Sequence, residues 1–358
     1  MKSILNKQLL VSIVILNYNG TDYTINCLDS IKKNNYQNYE IILVDNGSSD
    51  NSLQRLEEYI KKNKKITLIK NKENKGFAEG CNIGVKKSKS KYVALLNNDM
   101  IVDQKWLSEL MKGILEKPAI SIVSSKIYDK YDAKKFTFNK NGVFTLLSYL
   151  AKVDKKEFGK LNSEEIFMAC AGACIMNKEI IKIPFDPDYF AYGEDMYLSW
   201  FTRLKGYSVI RANKSIAYHM GGVVAKSNSK LNKVFTTTGE RNRILNIFYF
   251  YSTYNLVILC PFLVVTLILH NIYNFKKSLY YSKGYFWLLT HLRYIWKKRK
   301  SIQSLRKVKD NQITLFMNPK IIEETNFKNI LFYSFAWSMN RIFYFYLKLF
   351  NIKTLNDY

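Results

Sequence analysis

Acidic residues are scarce in this chain: 29 Asp and Glu stand against 55 Lys and Arg, a net charge of +26 over 358 residues. That imbalance disfavours a cationic partner and implies an anionic one: nucleic acid, a phosphorylated substrate or an anionic membrane surface. No nucleic-acid recognition motif accompanies it, and much of the surplus surrounds apolar segments, so nucleic acid is set aside. Histidine and cysteine are few as well, three and five. Cys170 and Cys174 lack the C-x-x-C spacing, which argues against a structural zinc site. The odd, scattered set Cys27, Cys81, Cys170, Cys174 and Cys260 suits reduced, mostly buried thiols in a cytosol-facing protein better than a disulfide framework. The basic-then-apolar start, MKSILNKQLLVSIVIL, has no A-x-A-like cleavage site and runs straight into a strand-and-turn pattern. It is therefore not read as an export signal.

Hydrophobic residues make up 47% of the chain, enough for a sizeable core. Short aliphatic runs at Leu9–Leu16, Glu40–Asp45, Ile66–Lys70 and Tyr92–Asn97 alternate with helical patterns at about 21–34, 51–62, 77–88 and 104–115. Strands separated by helices of this length predict βαβ crossovers and an α/β fold, a mostly parallel sheet with helices on both faces. A further strand is expected at Ile120–Ser124, whereas 126–165 gives no assignable pattern. The small-residue stretch FMACAGACIM suggests backbone packed closely against something.

Ligands in such sheets sit beyond the carboxyl ends of the strands. Each predicted strand here ends in polar residues: Asn17-Tyr18-Asn19-Gly20, Asp45 to Asp50, Asn71 to Gly76, and Asn97-Asn98-Asp99. One such end is ordinary turn chemistry. Four on one edge are the layout of a nucleotide site. A carboxylate there, Asp99, can bind a hard cation without crossing the core, and His219 in AYHMGG is a second candidate ligand. Gly193-Glu194-Asp195 precedes a helix, which puts a carboxylate pair at a helix amino end. The helix dipole would keep Asp195 ionised, while Glu194 beside it acts the other way.

Jointly, VSIVILNYNG, EIILVDNGSSDNS, NKENKGFAEGCNIG, YVALLNNDM, FAYGEDMYLSWFTRLKGY and AYHMGG resemble the inverting family 2 glycosyltransferases of GT-A (Rossmann-like) fold. The resemblance covers about 11 to 245 and is nearest to the rhamnosyltransferase-like branch, in which ERNRI also follows the His motif. It implies that Asp45 contacts the base or ribose of a nucleotide-diphosphate sugar, and that Asn17, Asn19, Asn74, Gly76 and Asn82 line the same pocket. Asn97, Asn98 and Asp99 occupy the D-x-D position, Asp99 and His219 hold a divalent metal (Mn2+ or Mg2+), and Asp195, beside Glu194, is the general base. Asn97 replaces the first acid of D-x-D, and Tyr197 and Phe201 replace the usual Asp and Arg of E-D-x-D-l-x-x-R, departures that bear on donor or acceptor identity. The implied reaction is a single inverting displacement onto a hydroxyl of a glycan or lipid-linked acceptor, in cell-surface polysaccharide or glycoconjugate synthesis. The alternative, an inactive nucleotide-sugar or glycan-binding module of the same fold, is disfavoured by the joint presence of Asp99, Asp195 and His219. A nucleotidyltransferase would need a glycine-rich basic signature near the first strand, and none is there.

Residues 1–243 are thus expected to form the catalytic domain, and 244–358 a helical membrane-associated region. Ile244 to Phe275 contains no Asp, Glu, Lys or Arg. Pro261 near its middle and basic residues on both flanks predict a hairpin re-entering the cytoplasmic face, with the later aromatic-basic segments in the interface. A peripheral, monotopic or single-pass protein on that face is expected.

Overall fold

The structure is a computed structural model that describes residues 8–129, 132–136, 144–149, 165–221, 229–321 and 330–357. It divides into two compact units. The first comprises Met1–Phe138, Ala169–Thr202 and Tyr207–Asn232; the second comprises Asn139–Met168, Arg203–Gly206 and Lys233–Tyr358. The division is not a single cut along the chain. Of the stretch 126–165, only residues up to 129, 132–136, 144–149 and 165 lie within the described residues.

The first unit begins with the expected alternation: β1 (Val11–Asn17), α1 (Thr21–Lys32), β2 (Tyr39–Asp45), α2 (Ser52–Ile60), β3 (Ile66–Lys70), α3 (Gly76–Lys87) and β4 (Tyr92–Asn97). It continues with β5 (Met100–Val102), α4 (Trp106–Glu116), β6 (Ile120–Asp129), β7 (Asp132–Phe136), β8 (Ala173–Asn177), α5 (Glu194–Leu204) and β9 (Ser208–His219). The strand order is β3-β2-β1-β4-β8-β6-β9-β5, with β7 paired to β6.

Alternation along β1 explains the layering. Val11, Ile13 and Ile15 join one core with Leu28 of α1, Leu56 of α2 and Trp106 of α4. Val14 and Leu16 face α3 on the other side, where Gly84 and Gly80 allow close approach. A Cβ on Gly84 would lie 2.4 Å from Val14 Cγ1. Helices therefore cover both faces.

The parallel half is as expected, but the sheet as a whole is mixed. Among the described residues four strand pairs are parallel and four antiparallel. The antiparallel half arises because β8 returns alongside β4, with Leu96 opposite Ala173. After β4, Asn98 and Asp99 turn the chain into β5, which pairs with the end of β9 so that Met100 lies opposite His219.

The second unit corrects the hairpin. Ile244 to Phe250 are the end of α6 (Ser229–Phe250), and Leu245, Ile247, Tyr249 and Phe250 are buried. Ser252 then caps a new helix, α7 (Thr253–Tyr273), its hydroxyl accepting from Asn255 N at 3.2 Å. This helix runs unbroken through Pro261 for 21 residues, about 31 Å at ~1.5 Å per residue. Among the described residues it is the one helix long and apolar enough to cross a membrane. Proline costs one amide bond and crowds one turn. Contacts on both sides outweigh that local cost: Leu259 and Thr266 are buried, and Phe262 packs on Phe343 and Tyr346. The ERNRI motif is part of this unit's interior, where Arg243 makes a fork-like pair with Glu240 (2.7 and 2.9 Å) and lies over the Tyr149 ring.

Candidate active site

Parallel register aligns the polar strand ends. Asn17 lies opposite Asp45, and Leu16 opposite Asn97. The Asp45 carboxylate is 2% exposed and is held from three directions. Asn17 Nδ2 donates to Oδ1 (2.8 Å), as does Ser48 Oγ (2.6 Å), and Ser48 N donates to Oδ2 (3.1 Å). Thr24 Oγ1 donates to Asn17 Oδ1 (2.7 Å), so the amide of Asn17 is fixed at both ends. Asn19 sits in the left-handed region (φ 48°), as asparagine tolerates, and its Oδ1 accepts from Ser49 N at 2.8 Å. Ser48 and Ser49 thus tie two strand-end loops together, beyond ordinary turn chemistry.

Asn46, buried and not singled out by the sequence, organises the next loop. Its Nδ2 donates to Asn74 Oδ1 (3.0 Å) and Gly76 O (3.1 Å), while its Oδ1 accepts from Asn71 Nδ2 (2.9 Å) and Lys75 N (3.2 Å). Gly76 adopts φ +79°, and a Cβ there would lie 2.4 Å from Phe190 O. Phe77 N donates to that same oxygen at 2.7 Å. Gly76→Ala combines a left-handed L-residue with a backbone clash, so a loss on the order of 2 kcal/mol or more is expected. Urea denaturation of the variant checks this.

The small-residue stretch shows what it packs against. A Cβ on Gly172 would lie 2.9 Å from Asn97 Nδ2, and Asn97 N donates to Gly172 O at 2.9 Å. One residue earlier, Ala171 N donates to Asp195 Oδ1 at 3.0 Å. The 170s segment therefore links the end of β4 to the start of α5. Asn98 Nδ2 donates to Thr24 Oγ1 (3.0 Å), and the carboxylate of Asp99 lies 3.1 Å from His219 Nε2, Oδ2 being the nearer oxygen.

Residues 12–183 match the model of the family described as "Glycosyl transferase family 2". That stretch, just under half of the chain, is similar to a family 2 glycosyltransferase domain. Glycosyltransferase GlyG of Streptococcus pneumoniae serotype 4 is 31% identical over 129 residues, 36% of this chain and 42% of that protein. An uncharacterized glycosyltransferase of Haemophilus influenzae is 34% identical over 116 residues, 32% of this chain and 36% of that protein. The matches thus span less than half the length of these curated relatives. Among solved structures, the mannosyltransferase PcManGT from Pyrobaculum calidifontis, in complex with GDP-Man and Mn2+, gives a TM-score of 0.51 at 15% identity, over 68% of this chain and 64% of that one. GalNAc-T7 with UDP, GalNAc and Mn2+ gives 0.57 at 18%, over 70% and 49%. The fold is GT-A.

In the first unit, burial overrides the helix dipole at the carboxylate pair. It pushes Asp195 up to about 6 against the pull of the Ala171 N–H. Glu194 is pushed to about 8 by burial and by the Asp195 charge. Glu194 Oε2 is buried with no hydrogen-bond partner among the described residues, which suits a protonated carboxyl. Asn82 is also buried, with its amide engaged by the Phe185 backbone (3.0 and 3.2 Å), so it clamps α3 to the 185 loop. Tyr197 and Phe201 stack at 6.0 Å with rings 9° apart, and Tyr189 meets Tyr197 edge-on. An aromatic ladder thus stands on this helix at two positions where the family pattern carries charge. The free thiols of Cys27, Cys81, Cys170 and Cys174 are buried, and Cys260 is exposed.

A divalent cation is tested by the donors present. Asp99 supplies a carboxylate and His219 an imidazole, both partly open to solvent (15% and 32% exposed). Among the described residues no group of three or more His, Cys, Asp or Glu converges. The pair fits an open site whose other positions fall to phosphate oxygens and water, and it does not fit an all-protein cage.

Proposed function

We propose that this chain is a metal-dependent, inverting glycosyltransferase of the rhamnosyltransferase-like branch. It moves a sugar from a nucleotide-diphosphate donor to a hydroxyl of a glycan or lipid-linked acceptor, in cell-surface polysaccharide or glycoconjugate synthesis. The observation that carries the reading is the chain of contacts Asp195–Ala171–Gly172–Asn97, which ties the candidate base to the strand end that leads into Asp99.

Asp45, pre-oriented by Asn17 and Ser48, receives the nucleoside, while Asn19 and the loop of Asn74 and Gly76 shape the pocket around it. Asn97 and Asn98 offer amides to sugar or phosphate oxygens. Asp99 and His219 would hold the cation, whose charge, when bound, offsets that gathering on the departing diphosphate. Asp195 takes the proton of the attacking hydroxyl, and the Ala171 N–H fixes the carboxylate that receives it. No covalent intermediate is needed, so the anomeric configuration inverts.

The base must be ionised, so the rate should rise with pH through about 6, the value to which burial pushes Asp195. Glu194 is still protonated there, so Glu194→Gln should leave this acid limb in place and remove any further change near 8. Both carboxyls bind protons more tightly folded than unfolded. Their contribution to stability is therefore present at acid pH and is lost as pH rises through about 6 to 8. Rate profiles and melting curves of the two proteins from pH 5 to 9 check both signs.

The proposal includes association with the membrane, on its cytoplasmic face, and the one-sidedness of α7 supports the association. Its polar residues Asn255, Thr266 and His270 share a side with Leu259, while Val257, Val264, Ile268 and Ile272 point outward and are about half exposed or more. Exposed apolar residues continue on α8 (Ser278–Thr290) with Phe286 and Leu289, and on α10 (Ile330–Leu349) with Leu331 and Phe345. Between them α9 (Leu292–Gln303) carries LRYIWKKRK, aromatic and basic. A helix with one packed polar face suits lying in the interface rather than crossing it. Incubation with radiolabelled nucleotide sugars and a membrane extract tests the whole proposal. Cation-dependent label in the glycolipid or polysaccharide fraction is expected, and absence of transfer from every donor tried would count against it.

A further inference from the structure

A cavity of about 290 Å³ lies in the second unit at the amino end of α7. Tyr254, Phe350 and Ile352 give it an apolar wall. Asn255 also lines it; this residue is 5% exposed, and its side-chain amide nitrogen is buried with no hydrogen-bond partner among the described residues. A buried polar group left without a partner is costly and calls for an explanation. The first-turn amides of a helix lack intrahelical acceptors; here Ser252 Oγ takes that of Asn255 (3.2 Å), and the helix dipole favours an anion beyond the cap.

The charges in the lining agree. Arg306 and Asp310 pair at 2.6 Å, and Asp310 also accepts from Ser252 N at 2.9 Å. That carboxylate is thereby neutralised, which leaves the exposed ammonium of Lys309 as one positive charge in excess. An anion is matched at this end of the helix. A hydrocarbon chain is matched beside it, where Tyr254 and Leu349, the neighbour of Phe350, stay exposed.

We infer that this cavity binds the phosphate of an anionic lipid headgroup, with Asn255 and Lys309 as its side-chain donors. The inference rests on the membrane reading above and adds a defined site to it. Bound lipid would set the depth of α7 in the interface, whereas scattered surface lysines hold a protein only loosely.

The test uses the full-length protein in a neutral detergent, titrated calorimetrically with dihexanoyl phosphatidate, dihexanoyl phosphatidylcholine and inorganic phosphate. Phosphatidate should bind at least tenfold more tightly than either of the others. Asn255→Leu and Lys309→Gln should each weaken it by roughly tenfold or more, as expected for hydrogen bonds to a charged group. Asn255→Leu should melt no lower than wild type, because it removes a donor that the fold leaves unsatisfied. A lower melting temperature would mean that Asn255 serves the fold, and Lys309→Gln, at an exposed position, would then decide. Unchanged phosphatidate affinity in Lys309→Gln, equal binding of phosphatidylcholine, or phosphate binding as tight as phosphatidate would each overturn the proposal. Flotation with vesicles of phosphatidylcholine and phosphatidylglycerol separates the two readings. Wild type that fails to float refutes membrane association itself, whereas wild type that floats while the calorimetry fails refutes the site alone.

Discussion

Asp195→Asn is expected to slow transfer by roughly 10²–10⁴-fold while leaving nucleotide binding nearly unchanged. The side-chain oxygen of Asn can still accept from Ala171 N, so the contact of 3.0 Å and the start of α5 survive. What is lost is the capacity to take a proton. The loss should fall on kcat, because a base acts on the hydroxyl only as the bond forms. Single-turnover rates together with the Kd of the nucleotide would separate these effects. Equal losses in binding and turnover would show Asp195 to be a donor contact or a structural residue. The acid limb near pH 6 should vanish with the carboxylate, a signature that a merely structural role would not give.

Asp99→Ala should lower activity by roughly 10²–10³-fold or more and remove its response to Mn2+. The side chain sits at a turn between β4 and β5 and is partly exposed, so little packing goes with it. In wild type, Mn2+ with a nucleoside diphosphate should raise the melting temperature, because ligand binding to the folded state stabilises it. Asp99→Ala should lose most of that rise. His219→Ala should lose less, since water or a phosphate oxygen can fill its position. Full activity of Asp99→Ala in chelator-treated buffer would sink the assignment.

The parallel half of the fold was legible in the sequence because β1, β2 and β4 are buried on both faces and read as nearly unbroken aliphatic runs. The antiparallel half was not. Strand β8 is ACIMN, reached through small residues that resemble a loop, and β5 is three residues that pair with the end of β9. The polar strand ends were legible as a set, and the structure brings Asn17 opposite Asp45 and Asn97 opposite the adjacent Leu16. Asn46 escaped notice because an asparagine that makes four long-range hydrogen bonds is spelled like any turn asparagine. At the carboxylate pair the helix dipole could be read from sequence, whereas the desolvation that raises both groups could not. At Pro261 the breaker was visible, whereas the Phe262–Phe343 contact that holds the helix on either side of it was not.

The partner that holds Asp195 is a main-chain amide, and that has a genetic consequence. Nineteen of the twenty amino acids carry the same N–H, so residue 171 can change its side chain and still present the donor. Only proline deletes it in one step. A saturation library at position 171 should therefore separate by size, with variants failing as they crowd a fully buried site, and with Ala171→Pro failing whatever space it finds. The contact is written in the path of the chain, where a comparison of residue identities would pass over it.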